Sequence, residues 1–157
     1  MWKKMVFVAM FLIVPAGLQA QEEARADYYK SAGIFDHKTG ISLASVAYNV
    51  FNRGRHEVFI GAGSALLTTT SVGWKCYLFK YGVDFYSVLA AQGLVAGMAR
   101  EFTVLPVTFA SLGFEKKIGE QLWINAGVNV SVRLYPPGSP HPPDVIPLPN
   151  LNINWRR

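Results

Sequence analysis

One segment of the chain alternates strictly between apolar and polar residues. In QLWINAGVNVSVRLY, residues 121 to 135, every even position from Leu122 to Leu134 is apolar. Most odd positions, among them Asn125 and Asn129, carry amide, hydroxyl, glycine or charged residues. Because successive side chains of a β-strand point to opposite faces of the sheet, this pattern predicts a strand with one apolar and one polar face.

The same period of two recurs along most of the chain after residue 20. The C-terminal stretch PNLNINWRR sets a row of asparagines opposite Leu151, Ile153 and Trp155. Residues 84 to 100 are rich in Ala and Leu, which suits a helix, but their glycines favour a strand. Eight strands are therefore predicted. They are residues 28–36, 40–52, 56–67, 72–80, 84–100, 102–115, 121–135 and a last strand from about residue 145.

Turn signals separate these segments, and one connection is long. HKTG at 37–40, NRGR at 52–55, KYG at 80–82 and KKIGEQ at 116–121 are short and rich in turn-forming residues. Residues 136 to 149 hold seven of the nine prolines, which predicts a loop that leads into the last strand. Pro106 predicts a sheet edge, a bulge or a register change within its strand.

The N-terminus has the sequence pattern of a secretory signal peptide. Lys3 and Lys4 precede an apolar run from Met5 to Val14, and small residues then lead to an acidic stretch. A membrane-spanning helix would need roughly 20 apolar residues, so a retained anchor is the weaker interpretation. We predict a signal peptide at residues 1–20, with cleavage after Ala16 as the alternative, and a single β-barrel domain at residues 21–157.

Several site classes find little support in the composition. The basic residues are scattered along the chain without the concentrated basic face that nucleic-acid binding requires. Cys76 is the only cysteine, so no internal disulfide can form. His37, His56 and His141 are too dispersed to suggest a metal site. We therefore expect no nucleic acid, metal or cofactor.

The composition of the polar faces distinguishes a soluble barrel from a membrane barrel. A surface in contact with water should be rich in Lys and Glu, whereas these faces carry mainly Asn, Ser and Gly. Small amides suit a crowded barrel interior, with hydrocarbon on the outside. The predicted lumen-facing residues are Asn125, Asn129, Ser131, Arg133, Asn150, Asn152 and Asn154. The residues predicted to face lipid or the membrane interface are Trp74, Leu151, Ile153 and Trp155.

These features resemble the small eight-stranded outer-membrane barrels of Gram-negative bacteria. The resemblance rests on the leader, the alternating strands, the VGWKCYLF strand and the terminal strand. In that class the last strand ends in an aromatic residue that the outer-membrane assembly machinery reads, and Trp155 is similar. Arg156 and Arg157 depart from the pattern, and we expect both to lie just beyond the interface. The resemblance implies an antiparallel up-and-down transmembrane barrel in the outer membrane.

The sequence predicts a structural or surface-interaction role and a monomer whose interior is filled by side chains. Residues 136 to 144 are the segment long enough to present a surface to a partner. No Ser–His–acid arrangement is visible, because His56 and the adjacent Glu57 must face opposite sides of a strand and Ser64 lies about 26 Å away. We therefore do not expect an enzyme. The alternatives are a soluble periplasmic lipocalin-like barrel that binds a hydrophobic ligand and a lipid-modifying outer-membrane enzyme.

Overall fold

Eight antiparallel strands form one sheet that closes into a barrel in chain order, which confirms the predicted all-β fold. The computed structural model describes residues 28–65, 68–98, 101–133, 135 and 144–157. The predicted leader and residues 136–143 lie outside these ranges. Within them, no helix is long and apolar enough to cross a membrane. The strands are β1 (Tyr28–Ile34), β2 (Ala44–Arg53), β3 (His56–Ser64), β4 (Thr68–Lys80), β5 (Asp84–Met98), β6 (Glu101–Lys117), β7 (Leu122–Arg133) and β8 (Val145–Arg156).

The first and last strands close the barrel. Their register pairs Tyr29 with Arg156 and Ile34 with Leu151. The backbone N–H of Tyr28 donates to the carbonyl oxygen of Arg157 over 3.0 Å, and the reverse bond measures 2.9 Å. Both ends of the described chain therefore meet at one end of the barrel, which we call the terminal end. The opposite end is the loop end.

The two ends of the barrel differ in the length of their connections. At the terminal end, residues 54–55, 81–83 and 118–121 join consecutive strands. At the loop end, residues 35–43 and 134–144 are longer connections, whereas residues 65–67 and 99–100 are as short as the turns of the terminal end. Short turns on one side and longer loops on the other are typical of up-and-down barrels in membranes.

Residues 84–98 form a strand, as their glycines predicted, and a glycine of the neighbouring strand β6 makes room for a large side chain of this strand. The ring of Tyr86 enters the interior from β5 and is almost fully buried. A Cβ on Gly113 would clash with the Tyr86 hydroxyl and with the carbonyl oxygen of Ala126. Glycine at this position of β6 therefore gives Tyr86 the room to cross the interior.

Pro106 was predicted to mark a sheet edge, a bulge or a register change. It pairs with Gly93 of β5, and the register of β5 and β6 continues through this pair without a shift. On the side of β7, the described pairs reach Val107, next to Pro106. A register change or bulge is therefore not found between β5 and β6 at this proline.

β8 begins at Val145, as predicted for the last strand, so residues 145–149 belong to this strand and not to the proline-rich loop that was predicted for residues 136–149. Pro147 pairs with Val130 and Pro149 with Val128 of β7. The pairing of β8 with β1 extends only to Leu151. These prolines lie beyond the end of β1, so their lack of N–H groups costs no hydrogen bond on that side.

The HKTG turn has an unexpected position. Residues 37–39 form a turn as predicted, and Asp36 and Gly40 bridge its two arms. The connection then folds into the barrel instead of projecting from it, since His37 and Thr39 are fully buried. We call residues 36–42 the inner segment.

Candidate functional site in the barrel interior

The outward face of the barrel is apolar. Leu151, Ile153 and Trp155 are 51%, 42% and 46% exposed and point away from the interior. Trp74 is half-buried on the same face, where its ring stacks on His56 with centroids 5.5 Å apart. Exposed aromatic residues concentrate near the terminal end. This aromatic ring comprises Tyr28, Tyr48, Phe51, Phe79, Phe85, Phe114 and Trp155.

Six of the seven residues predicted to face the lumen are buried in the interior. Arg133 is the exception, because it is the last residue of β7 at the loop end. It is exposed, and its guanidinium lies 4.9 Å from the ring centroid of Tyr135. The six buried residues are Asn125, Asn129, Ser131, Asn150, Asn152 and Asn154.

The buried asparagines of β7 and β8 donate hydrogen bonds to one another, to a serine and to backbone carbonyl oxygens in the interior. The Asn150 amide donates to Asn129 Oδ1 over 2.8 Å and to the Ser111 hydroxyl over 3.1 Å. Asn129 in turn donates to the carbonyl oxygen of Asp36 over 3.1 Å, and Asn152 donates to that of Phe35 over 2.6 Å. The amides of β7 and β8 therefore hold the start of the inner segment and the residue before it in place.

A buried carboxylate, Glu115, lies at the centre of an ionic cluster. It accepts hydrogen bonds from Lys75 Nζ over 2.6 Å and from Arg156 Nη1 and Nη2 over 2.8 and 2.5 Å. The Tyr77 hydroxyl donates to it over 2.7 Å. Lys75 and Glu115 are fully buried. Side chains from β4, β6 and β8 thus converge on one carboxylate, which links three strands across the interior.

A second ion pair fastens the inner segment to the barrel wall. Lys38 Nζ donates to Glu57 Oε2 over 2.9 Å and to Asn49 Oδ1 over 2.7 Å. The Tyr77 hydroxyl reaches Glu57 Oε1 over 3.0 Å, so Tyr77 connects the two ionic clusters. Lys38 is only 2% exposed. Charge-assisted bonds of this kind hold the segment much more firmly than neutral hydrogen bonds would.

His37 and Asp36 complete the contacts of the inner segment. His37 Nε2 lies 3.2 Å from Lys75 Nζ, and its Nδ1 lies 3.2 Å from the Tyr29 hydroxyl. Burial holds the pKa of His37 well below its usual range, and the positive charge of Lys75 adds to this effect. The imidazole is therefore neutral at pH 7. Asp36 accepts from the hydroxyls of Tyr29 over 3.1 Å and Ser45 over 2.9 Å.

The buried charges balance. With His37 neutral, three carboxylates face three cations among the described interior side chains. A buried ion is tolerated only when it is paired and hydrogen-bonded. No group of three or more His, Cys, Asp or Glu side chains in the described ranges could hold a metal ion. The carboxylates are Asp36, Glu57 and Glu115, and the cations are Lys38, Lys75 and Arg156.

This ionic network was not predicted from the sequence, although the alternation of residues within the strands indicated part of it. Glu57, Lys75 and Glu115 occupy the polar positions of their alternating strands. Lys38 carried no signal, because a turn has no alternation. Arg156, which we expected just beyond a membrane interface together with Arg157, points into the barrel and donates to Glu115. It follows the outward Trp155, so the period of two continues through it.

The residues weighed as a hydrolase site do not come together. His56 lies on the outward side against Trp74, whereas Glu57 is buried in the interior. Ser64 ends β3 at the loop end, and His56 begins it at the terminal end. The three side chains therefore form no triad.

Comparisons with known proteins add no assignment. No protein family, no curated protein and no solved structure matches this chain.

Proposed function

We propose that this protein is an outer-membrane β-barrel of a Gram-negative bacterium with a structural or surface-interaction role. In this proposal a signal peptide directs export, and residues 21–157 insert as a closed monomeric barrel. The interior serves to hold the barrel rigid and carries no reaction.

One observation carries the proposal: between its two ends, the barrel has buried charges inside and an apolar surface outside. Val128 and Leu112 are 48% and 62% exposed, while Lys75 and Glu115 are fully buried. In water this arrangement would leave a wide apolar surface exposed, which soluble monomers avoid. In a bilayer the same surface is stabilised by lipid, and closure satisfies the backbone groups.

The interior argues against a lipocalin-like carrier of a hydrophobic ligand. Such a carrier needs an apolar cavity. Here the inner segment occupies the interior, together with Tyr29, Tyr86 and Phe109, all of which are buried. Ion pairs and amides line the remaining wall. This is typical of a small barrel that side chains fill.

The segment at residues 136–144 supports a surface-interaction role. Its two flanks are fixed to each other: the Tyr135 hydroxyl donates to Asp144 Oδ2 over 2.5 Å, and the Arg133 N–H donates to the carbonyl oxygen of Asp144 over 3.1 Å. Proline restricts the backbone of the unbound chain, so a proline-rich sequence loses less conformational entropy than an ordinary loop when a partner binds. We propose that a partner outside the cell contacts this segment.

Fractionation tests the proposal. The full chain is expressed in a Gram-negative host, and membranes are separated from the osmotic-shock fraction. We expect the protein in outer membranes, extractable only with detergent and starting near Gln21. Unboiled protein should migrate differently from boiled protein in SDS gels, because a closed barrel resists SDS until it is heated.

The soluble alternative predicts the opposite distribution. Release of folded protein by osmotic shock, without detergent, would refute membrane insertion and favour a periplasmic barrel. A sample denatured in urea and returned to detergent-free buffer is the control, since it reports aggregation rather than insertion. Identical migration of boiled and unboiled protein taken from the outer membrane would refute the closed barrel.

A further inference from the structure

Exposed charge is distributed unequally between the two ends of the barrel. At the loop end, the charged side chains with described surroundings are Arg133 and Asp144, which cancel. Among the described residues of the terminal end, Lys80 is offset by its cross-strand neighbour Asp84, and Glu120 is the other side-chain carboxylate that is exposed. Six further exposed basic residues lie at this end. This basic collar comprises Lys30, Arg53, Arg55, Lys116, Lys117 and Arg157.

Part of the collar lies at the depth of the aromatic ring. Lys30 is on the outward face of β1 opposite Trp155, and its Nζ is 5.7 Å from the centroid of the Tyr28 ring. Lys116 follows the outward Phe114 by two residues and pairs with Ile124. Aromatic residues favour the headgroup level of a bilayer, and long basic side chains extend from there to the phosphates.

The remaining collar residues lie just outside the ring. Arg53 ends β2, and Arg55 follows it across a turn in which Gly54 has φ +60°. Arg55 is fixed against the barrel, because its Nη1 donates to the carbonyl oxygen of Leu78 over 3.2 Å. Lys117 is the last residue of β6, and Arg157 follows the last residue of β8. The positive charge thus surrounds the rim rather than forming one spot.

We propose that the basic collar binds the phosphates of anionic phospholipids in the leaflet that meets the terminal end. This inference rests on the proposed membrane insertion and names the lipid that it favours. In outer-membrane barrels the short turns face the periplasm, so the terminal end would face the periplasm. The leaflet on that side consists of phospholipid, and phospholipid is therefore the proposed partner. Each Lys or Arg near an anionic headgroup favours binding by about fivefold at low salt.

Tryptophan fluorescence tests the collar locally. Trp123 is the second residue of β7 and pairs with Lys117. Trp155 pairs with Lys30 of the collar, and Trp74 stacks on His56, the first residue of β3. The mature protein is reconstituted in phosphatidylcholine vesicles that contain brominated phosphatidylglycerol or brominated phosphatidylcholine in equal amounts. The ratio of quenching gives the enrichment of the anionic lipid beside the barrel. We expect enrichment of at least about fivefold at low salt, and its loss at ~1 M salt.

Two matched variants separate the collar from general charge effects. Arg53→Gln with Lys116→Gln and Lys117→Gln leaves the contact of Arg55 with Leu78 intact and should abolish most of the enrichment. Arg133→Gln removes one positive charge from the other rim and should leave the ratio unchanged.

The outcomes also separate this inference from the proposed function. Heat-dependent migration of each reconstituted sample reports insertion independently. Inserted protein with equal quenching by both lipids, or with enrichment that the triple variant retains, would overturn the collar alone. Failure of the unaltered chain to insert into either vesicle would overturn membrane insertion and the collar with it.

Discussion

Replacing Glu115 by glutamine removes the carboxylate that three strands share. The change is nearly isosteric, so packing is retained while the negative charge is lost. Both carboxylate oxygens accept from Arg156, and one also accepts from Lys75. Whichever way the new amide is oriented, its NH2 group must face at least one N–H donor of Arg156. The interior then holds one cation more than its carboxylates can neutralise.

The expected cost follows from the burial of the unpaired ion. Lys75 is fully buried and Arg156 is 12% exposed, so water cannot solvate them instead. Removing one member of a buried ion pair typically costs about 3–5 kcal/mol. Glu115→Gln should lower the free energy of unfolding by that amount. The double variant Lys75→Met with Glu115→Gln restores neutrality and should recover most of the loss.

The measurement is reversible urea unfolding of the inserted barrel in micelles, followed by tryptophan fluorescence and checked by migration of unboiled samples. Phe114→Leu, one residue away on the outward face, controls for disturbance of β6. A loss below about 1 kcal/mol for Glu115→Gln would refute this reasoning, because it would mean that water reaches the cluster. A double variant less stable than Glu115→Gln would refute the assignment of the loss to uncompensated charge.

Three further predictions follow from the faces of the barrel. Val128→Arg should lower the free energy of unfolding in bilayers by about 2–4 kcal/mol, because Val128 faces the middle of the bilayer. Val145→Arg, at the loop end, should lower it by at most about 1 kcal/mol. Equal losses would contradict the placement of Val128 near the middle of the bilayer and of Val145 near its surface. Because burial depresses the pKa of His37, stability should fall as the pH drops below about 6.5. The slope can reach about 1.4 kcal/mol per pH unit, and His37→Gln should flatten it in pH-dependent urea titrations. Deleting residues 150–157 removes pairing with both β1 and β7 and should abolish insertion in fractionation assays.

The fold could be predicted from the sequence because the alternation of apolar and polar residues within each strand shows which side chains share a face. A period of two needs no knowledge of partners, so it identified β7 and the inward amides of β8 from sequence alone. The same rule signalled Glu57, Lys75 and Glu115 on polar faces. The ion pairs that these side chains form could not be predicted, because they depend on which strands face each other across the interior.

The inner segment could not be predicted for a different physical reason. Its position is fixed by contacts between residues far apart in sequence: Lys38 with Glu57, and Asn129 with the carbonyl oxygen of Asp36. Turn signals specify a change of direction and not the side to which the turn folds. An inward turn is stable here only because the wall offers a carboxylate and several amides.

The arginine after the terminal tryptophan links closure of the barrel to neutrality of its interior. Without Arg156, two buried cations would face three carboxylates. Because Trp155 points outward, the next residue of the same strand must point inward, and the pairing of Arg156 with Tyr29 of β1 holds it at Glu115. Closing the sheet and completing the ion network are thus one event. A chain ending at the tryptophan would lose the Tyr29–Arg156 pair of the closing ladder and would also leave one buried carboxylate without its cation.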